Sequence, residues 1–377
     1  MELSLSPQSE FRLLSQILLA VPSIGITAAE QRFPGSLSSE SIRGREIVRT
    51  LNHKSFESLK SLAITNHVIV RAFNVLQELA QADGSPEIVE QATIALEEES
   101  ARIKNAMAFL QRICQSLEDA GCPTIVIKSL DHWPDLGSDI DLYTDADSSK
   151  VVEVMRTRFG ALTADRSWGD RLANKWNFIV PGLPELVEVH IGRLGQTGEQ
   201  TAVSRSLYPR SRITVFDSYS LRVLAPEHRI IISTLQRMYR HFYIRLCDIV
   251  DHASLLDSQT VDFSYLYTLG SNAGLWDGIA TYLTIVSGYV DNYRGIPTPV
   301  PSMVLRSAKF DQRQIQFRRN FLRVPILPHS MNLYAAELKA LLLRGQVRDS
   351  LRLSLLPGLA TAAALEQKLT GSDKGIW

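Results

Sequence analysis

Two short stretches alternate acidic with apolar residues at the period of a β-strand, DIDLY at residues 139–143 and ELVEVHI at residues 185–191. Successive strand side chains point to opposite faces, so Asp139 and Asp141 share one face while Ile140 and Leu142 take the core side. In the second stretch Leu186, Glu188 and His190 share a face, and Val187, Val189 and Ile191 share the other. If the two strands lie side by side, Glu188 joins the aspartates as a third carboxylate. The aspartates sit roughly 6.6 Å apart along the strand. On a partly desolvated sheet one of them would hold a proton unless a cation lay between them. Hard oxygen ligands with no His or Cys partner point to Mg2+ or Mn2+ rather than zinc. Three acids can hold two ions about 4 Å apart, which suits in-line phosphoryl or nucleotidyl displacement. A bare DxD also occurs in solvated turns, and that reading stays open on these residues alone.

The rest of the chain frames these strands. With 377 residues, 45% of them apolar and 21% charged, there is material for two or three globular domains. Forty basic residues balance forty acidic ones, so no general affinity for duplex nucleic acid or anionic membrane is expected. Cys114, Cys122 and Cys247 have no CxxC or Cys/His spacing, which indicates neither a zinc site nor a disulfide framework and fits a reducing compartment. The run LLSQILLAVPSIGITA follows a segment with Glu2 and Glu10 and no early basic residue, so it reads as an amphipathic helix and not a secretory signal. The stretch LWDGIATYLTIVSGYVDNY contains Asp277 and Asp291 and falls short of a membrane span. A cytoplasmic location is expected.

Helical periodicity runs from Ser6 to about Cys114, with Ser-Pro helix starts at Ser6 and Ser85 and a break at Asp83-Gly84. At AGCPTIVIKSL the texture changes: Gly121 and Pro123 stop a helix, and TIVI is a strand. DIDLY is a second strand, a helix follows over residues 148–159, and KWNFIV and ELVEVHI form a hairpin through the turn PGLP. After Pro226 the pattern is helical again, through EHRIIISTLQRMYRHFYIRLCDIVDHASLL and mostly to the end. The expected architecture is α+β, a small mixed β-sheet with helices flanked by helical domains: an N-terminal helical domain over residues 1–114, an α/β domain over 115–224 and a C-terminal helical domain over 225–377.

Taken in order, VIKS, DIDLY, VEVH, LAPEH and YRHFYIRLCDIV carry a resemblance. A strand, a small residue, a short loop, D-h-D-h and a later h-E-h strand is similar to the nucleotidyltransferase superfamily that includes DNA polymerase β. More narrowly, the set resembles the bacterial proteins grouped as nucleotidyltransferase family proteins, over roughly residues 100–260. The resemblance implies a nucleotidyltransferase-type sheet and Mg2+- or Mn2+-dependent transfer of an NMP from an NTP, ATP first among them, with release of pyrophosphate. The acceptor would be a hydroxyl or phosphate, on a small molecule, a protein or a tRNA that the sequence does not identify. Asp139, Asp141 and Glu188 would then be the catalytic metal ligands, with Lys128, Ser129, His190, His241 and Asp248 at the nucleotide. The chain departs from the pattern in carrying Lys128-Ser129 where the superfamily has Gly-Gly or Gly-Ser. It also has Asp135 and Leu136 where the narrower group often has an arginine. A protein that keeps the scaffold and binds nucleotide or a partner without catalysis is the alternative.

Three further features frame expectations. His241, Arg245, Asp248 and His252 fall on one helical stripe that faces either phosphate or a neighbouring helix. Glu227 reads as a first-turn residue complementing the helix dipole. Residues 306–352 carry ten basic residues against three acidic ones, including RQIQFRRNFLR, and read as a solvated helical face or a surface for an RNA, an anionic partner or a membrane. Trp133, before the acid pair, is either a base-stacking residue or a loop anchor.

Overall fold

The computed structural model describes residues 6–20 and 47–358. Ser6 caps α1 (Pro7–Leu19), accepting from the Ser9 amide at 3.2 Å with Pro7 in the first turn. Next come α2 (His53–Thr65), α3 (Ile69–Asp83) and α4 (Pro86–Asp119). Gly84 ends α3 at φ 75, a left-handed conformation that glycine adopts without steric cost. The part of the early apolar run from Val21 onward, and Trp377, lie outside the described residues.

All four strands read from the sequence are present, and the sheet is larger than expected. It contains β1 (Ile125–Val126), β2 (Asp139–Thr144), β3 (Leu162–Thr163), β4 (Lys175–Ile179), β5 (Leu186–Ile191), β6 (Arg212–Phe216) and β7 (Tyr219–Val223). Helices α5 (Ser148–Phe159), α6 (Trp168–Leu172) and α7 (Thr201–Arg210) fall between them. The strand order is β3-β4-β5-β2-β1-β7-β6. The β2–β5 and β1–β7 pairs are parallel and the others antiparallel, so the sheet is mixed. Ile140, Leu142, Val187 and Val189 are fully buried, which fixes the opposite face of β2 and β5 for the acids. The β6–β7 hairpin went unread because its outer strand leaves Ile213 and Val215 exposed, so its alternation does not mark a core face.

The C-terminal part departs from the sequence reading in two places. The helix expected from Pro226 past His252 is broken. α8 (Pro226–Thr234) passes into a wide turn, Leu235–Arg240, closed by the His241 amide on Gln236 O at 2.7 Å, an i→i+5 bond. Phe242 takes φ 54, β8 (Tyr243–Ile244) is extended, and α9 (Leu246–Asp257) starts afresh. His241 and Arg245 therefore do not share a helix face with Asp248 and His252. The break is held by pairing of β8 with β10, which a local helical pattern cannot report. The second departure is RQIQFRRNFLR, which is no helical face. It forms β9 (Gln316–Arg318) and β10 (Phe321–Arg323), joined by Arg319-Asn320 with both residues at positive φ, as a two-residue hairpin turn requires.

The other C-terminal helices are α10 (Phe263–Asn272), α11 (Trp276–Arg294), α12 (Ser302–Ser307), α13 (Met331–Leu343) and α14 (Val347–Ser354). One apolar cluster runs from Leu14 through Ile140 and Val187 to Tyr282 and Leu333. The N- and C-terminal helical parts touch directly: α1 packs on α11, Ser15 Oγ lies 2.8 Å from the Tyr289 hydroxyl, and the Phe11 and Phe317 rings are 4.6 Å apart. No helix among the described residues is long and apolar enough to cross a membrane.

Candidate active site

The parallel β2–β5 register sets Asp141 directly opposite Glu188, two pairs along from Asp139 opposite Leu186. His190, two residues beyond Glu188, lies opposite Tyr143 and turns to the same face. Its Nε2 is 3.7 Å from Asp141 Oδ1. One ligand atom each from Asp141, Glu188 and His190 lies within 4.8 Å of the other two. Asp139 lines the same cleft but stands outside that closest set. The sheet thus assembles the acids read from the sequence and adds an imidazole to them.

The approach from β1 explains why Lys128 enters the site. Ile127, Lys128 and Ser129 make a γ-turn: Lys128 sits at φ 65 and ψ −55, and the Ser129 amide donates to Ile127 O at 2.7 Å. Such a turn is rare for a residue with a side chain, and its strain is of order 1–3 kcal/mol. It takes Lys128 out of strand alternation and sets its ammonium against the Asp141 carboxylate. Ser129 lines the cleft and also has a structural task. Its hydroxyl accepts from the Asp141 amide at 2.7 Å and lies 3.3 Å from Asp139 O, so it pins the start of β2, and its own amide is used by the γ-turn.

The electrostatics follow from these placements. Burial, then the charges of Glu188 and Asp141, push Asp139 up to about 6. Among the described residues Asp139 has no ion-pair partner, its nearest polar contact being the Ser138 hydroxyl at 3.3 Å. Burial opposes ionisation of Asp141 as well, but the Lys128 ammonium overrides it and holds this carboxyl below its ordinary range. Lys175 Nζ is 3.0 Å from both Glu188 and Asp170, so the third acid also has a resident counter-charge. Burial lowers the pKa of His190, and neither ring nitrogen has a hydrogen-bond partner. A neutral imidazole with free nitrogens beside two carboxylates fits a divalent cation, and the mixed O/N donor set admits Mn2+ alongside Mg2+.

Around the acids the wall is cationic. The cleft, about 220 Å³, brings Lys128, Lys175, Arg237, Arg240 and Arg245 to three carboxylates. An excess of positive charge over a carboxylate cluster suits a polyanion that arrives with a metal ion. His241 also lines it, kept neutral first by burial and then by Arg240 and Arg237. Asp248 does not line it. This carboxylate is buried, 2.7 Å from Arg237 Nε and 2.7 Å from the Arg245 amide, so it orients the arginines that do. His252 is remote from the cleft wall, its Nδ1 2.8 Å from Asp248 O and 3.0 Å from the Tyr282 hydroxyl. Glu227 is buried and accepts from the Asp262 amide at 2.7 Å, a structural position. Trp133 packs edge-on against Phe216, 5.6 Å between ring centres, as a loop anchor.

Beside this cleft lies a wider cavity of about 750 Å³ that shares Lys128, Gln236, Arg240 and His241 with it. Its wall is largely apolar, with Leu194, Leu235, Val324 and Met331, while Arg318, Arg319 and Arg323 come from the β9–β10 hairpin. Part of the basic segment is therefore cavity wall. Lys175, Arg237 and Arg240 were missed in the sequence because a lysine opening a strand and arginines in an apolar helical pattern carry no spacing signal. Comparison of the chain with protein-family models, with curated proteins and with solved structures found no match.

Proposed function

We propose that the chain is a divalent-metal-dependent nucleotidyltransferase, moving a nucleoside monophosphate from an NTP to a hydroxyl or phosphate acceptor with release of pyrophosphate, on a nucleotidyltransferase-type sheet flanked by helical domains. The observation that carries this reading is the parallel β2–β5 pairing, which sets Glu188 opposite Asp141 on the face that also bears Asp139. A Mg2+ or Mn2+ ion held by Asp141, Glu188 and His190, with Asp139 beside them, supplies charge neutralisation of the triphosphate and acidification of the acceptor. The rest is done by the protein's own groups. Arg237, Arg240 and Arg245 bind phosphate oxygens through charge-assisted hydrogen bonds, and Asp248 holds Arg237 in place for this. Lys128 stands where the superfamily that the chain resembles has glycine, and it takes a φ that glycine adopts freely. The wider cavity, open to Lys128, Arg240 and His241, receives the acceptor.

The experiment is incubation with each labelled NTP, Mn2+ or Mg2+ and a cell extract, with the Asp139→Asn, Asp141→Asn double variant alongside. Transfer of label with release of pyrophosphate is expected from the natural chain and not from the variant. Equal activity in the two would remove the assignment.

The two resident ammonium groups favour a second reading, a nucleotide-binding protein without catalysis. Lys128 on Asp141 and Lys175 on Glu188 already neutralise two of the acids. Lys128→Gly separates the readings. It keeps the turn and removes the competing charge, so under the catalytic reading calorimetry should find Mn2+ bound about tenfold more tightly, or ~1.4 kcal/mol, and NTP bound more weakly. Unchanged Mn2+ affinity would show that the lysine does not stand in a metal's place.

A further inference from the structure

We propose that His67, His132 and Cys247 form a second metal site, separate from the carboxylate cluster, that takes a thiolate-binding transition ion of the Zn2+ class. One ligand atom from each residue lies within 4.8 Å of the other two. His132 Nε2 is 3.8 Å from Cys247 Sγ. That is close to the ligand-to-ligand edge, roughly 3.5 Å, of a tetrahedron built with Zn–N near 2.0–2.1 Å and Zn–S near 2.3 Å.

The surroundings are those of a ligand set and not of a chance encounter. His132 Nδ1 is held by the Asp251 carboxylate, and Asp251 is itself held by Arg71 Nη1 at 2.6 Å. Cys247 and Asp251 outweigh burial and raise the pKa of His132, so an ion that binds there displaces the Nε2 proton while Nδ1 keeps its own toward Asp251. This is the carboxylate–imidazole arrangement that orients histidine on a metal. His67 supplies an independent sign: its Nδ1 is buried and has no hydrogen-bond partner. Burial, then the positive charge of Arg245, keep that ring neutral and able to coordinate. Cys247 is fully buried and free, and burial raises its pKa, so an ion that binds there displaces the thiol proton. Two imidazoles and a thiolate are too soft a set for Mg2+, which keeps the two sites chemically distinct.

The ligands come from the turn between α2 and α3, the segment between β1 and β2, and the first turn of α9. An ion there ties the N-terminal helices, the approach to the acid pair and the segment after β8 into one unit. Both histidines also line the acid cleft. The inference does not rest on the proposed transfer reaction.

The test uses the full chain, reduced and freed of metal, titrated with Co2+ while excess Mg2+ occupies the carboxylates. One equivalent should bind with a near-ultraviolet thiolate-to-cobalt charge-transfer band and the visible bands of a four-coordinate ion, and Zn2+ should displace it. Cys247→Ser should lose the near-ultraviolet band, whereas Cys114→Ser and Cys122→Ser keep it. His67→Ala should weaken Co2+ binding by about tenfold or more. Circular dichroism checks that each variant is folded, and His67→Ala remains decisive should Cys247→Ser fail to fold. Absence of the band in the natural chain, its survival in Cys247→Ser, or unaltered affinity in His67→Ala would each overturn the site and leave Cys247 as a hydrogen-bond partner of His132.

Discussion

Asp139→Asn is expected to melt at a higher temperature than the natural chain in metal-free buffer at pH 7, and to lose the stabilisation that Mn2+ or Mg2+ gives. The first effect follows from the folded-state pKa of about 6, raised above the ordinary 3.8 by burial and by Glu188 and Asp141. A carboxyl with a raised folded pKa binds its proton more tightly folded than unfolded. Its contribution is favourable to folding at low pH and is lost as the pH rises from about 4 through about 6. At pH 7 the ionised group opposes folding by on the order of 1–3 kcal/mol, the lower end applying because the carboxylate is partly solvated. An amide carries no such charge. The expected gain is a few degrees in Tm at pH 7, shrinking toward zero as the pH is lowered below 5. The second effect follows from linkage: an ion that binds only the folded chain raises its stability by RT ln(1 + [L]/Kd), which falls away when Kd rises. Thermal melts of both proteins at pH 5 and pH 7, with and without Mn2+, measure all four terms. A variant no more stable at pH 7 would mean that the acids do not repel one another as their placement requires.

Arg71→Leu should destabilise the chain by about 3–5 kcal/mol, the cost of removing one partner from a buried ion pair. Arg71 Nε is 2.7 Å from Asp135 and its Nη1 is 2.6 Å from Asp251, both carboxylates being essentially inaccessible. Asp135 retains the Val70 amide at 2.6 Å, and Asp251 retains His132, so neither is left bare, but two negative charges lose their shared cation. Urea unfolding gives the value directly. A loss under about 1 kcal/mol would show that water reaches the pair and screens it.

What could be read in advance was whatever a two-residue period decides. The faces of β2 and β5 follow from Ile140, Leu142, Val187 and Val189, and with them the meeting of Asp141 and Glu188. The placement of Lys128 was not legible, because a γ-turn at a lysine breaks the alternation from which direction is inferred. The stripe through His241 and Asp248 failed for a related reason. Two extended residues of β8 are paid out to a distant strand, and nothing local in YRHFYIRL announces that partner. His67, His132 and Cys247 lie so far apart in sequence that no spacing rule joins them, and the cysteine pattern alone indicated no zinc.

The β2–β5 pairing also orders events during synthesis. A nascent chain that has emerged as far as Thr144 holds both aspartates, yet its third acid arrives only after α5, β3, α6 and β4 have been laid down. That closure is long-range and therefore late. Through the interval Lys128 is already close by in the chain to offset the aspartates, whereas no divalent ion yet has a full set of ligands. Under the proposed reading, a cation would reward the completed structure and do little to guide its making.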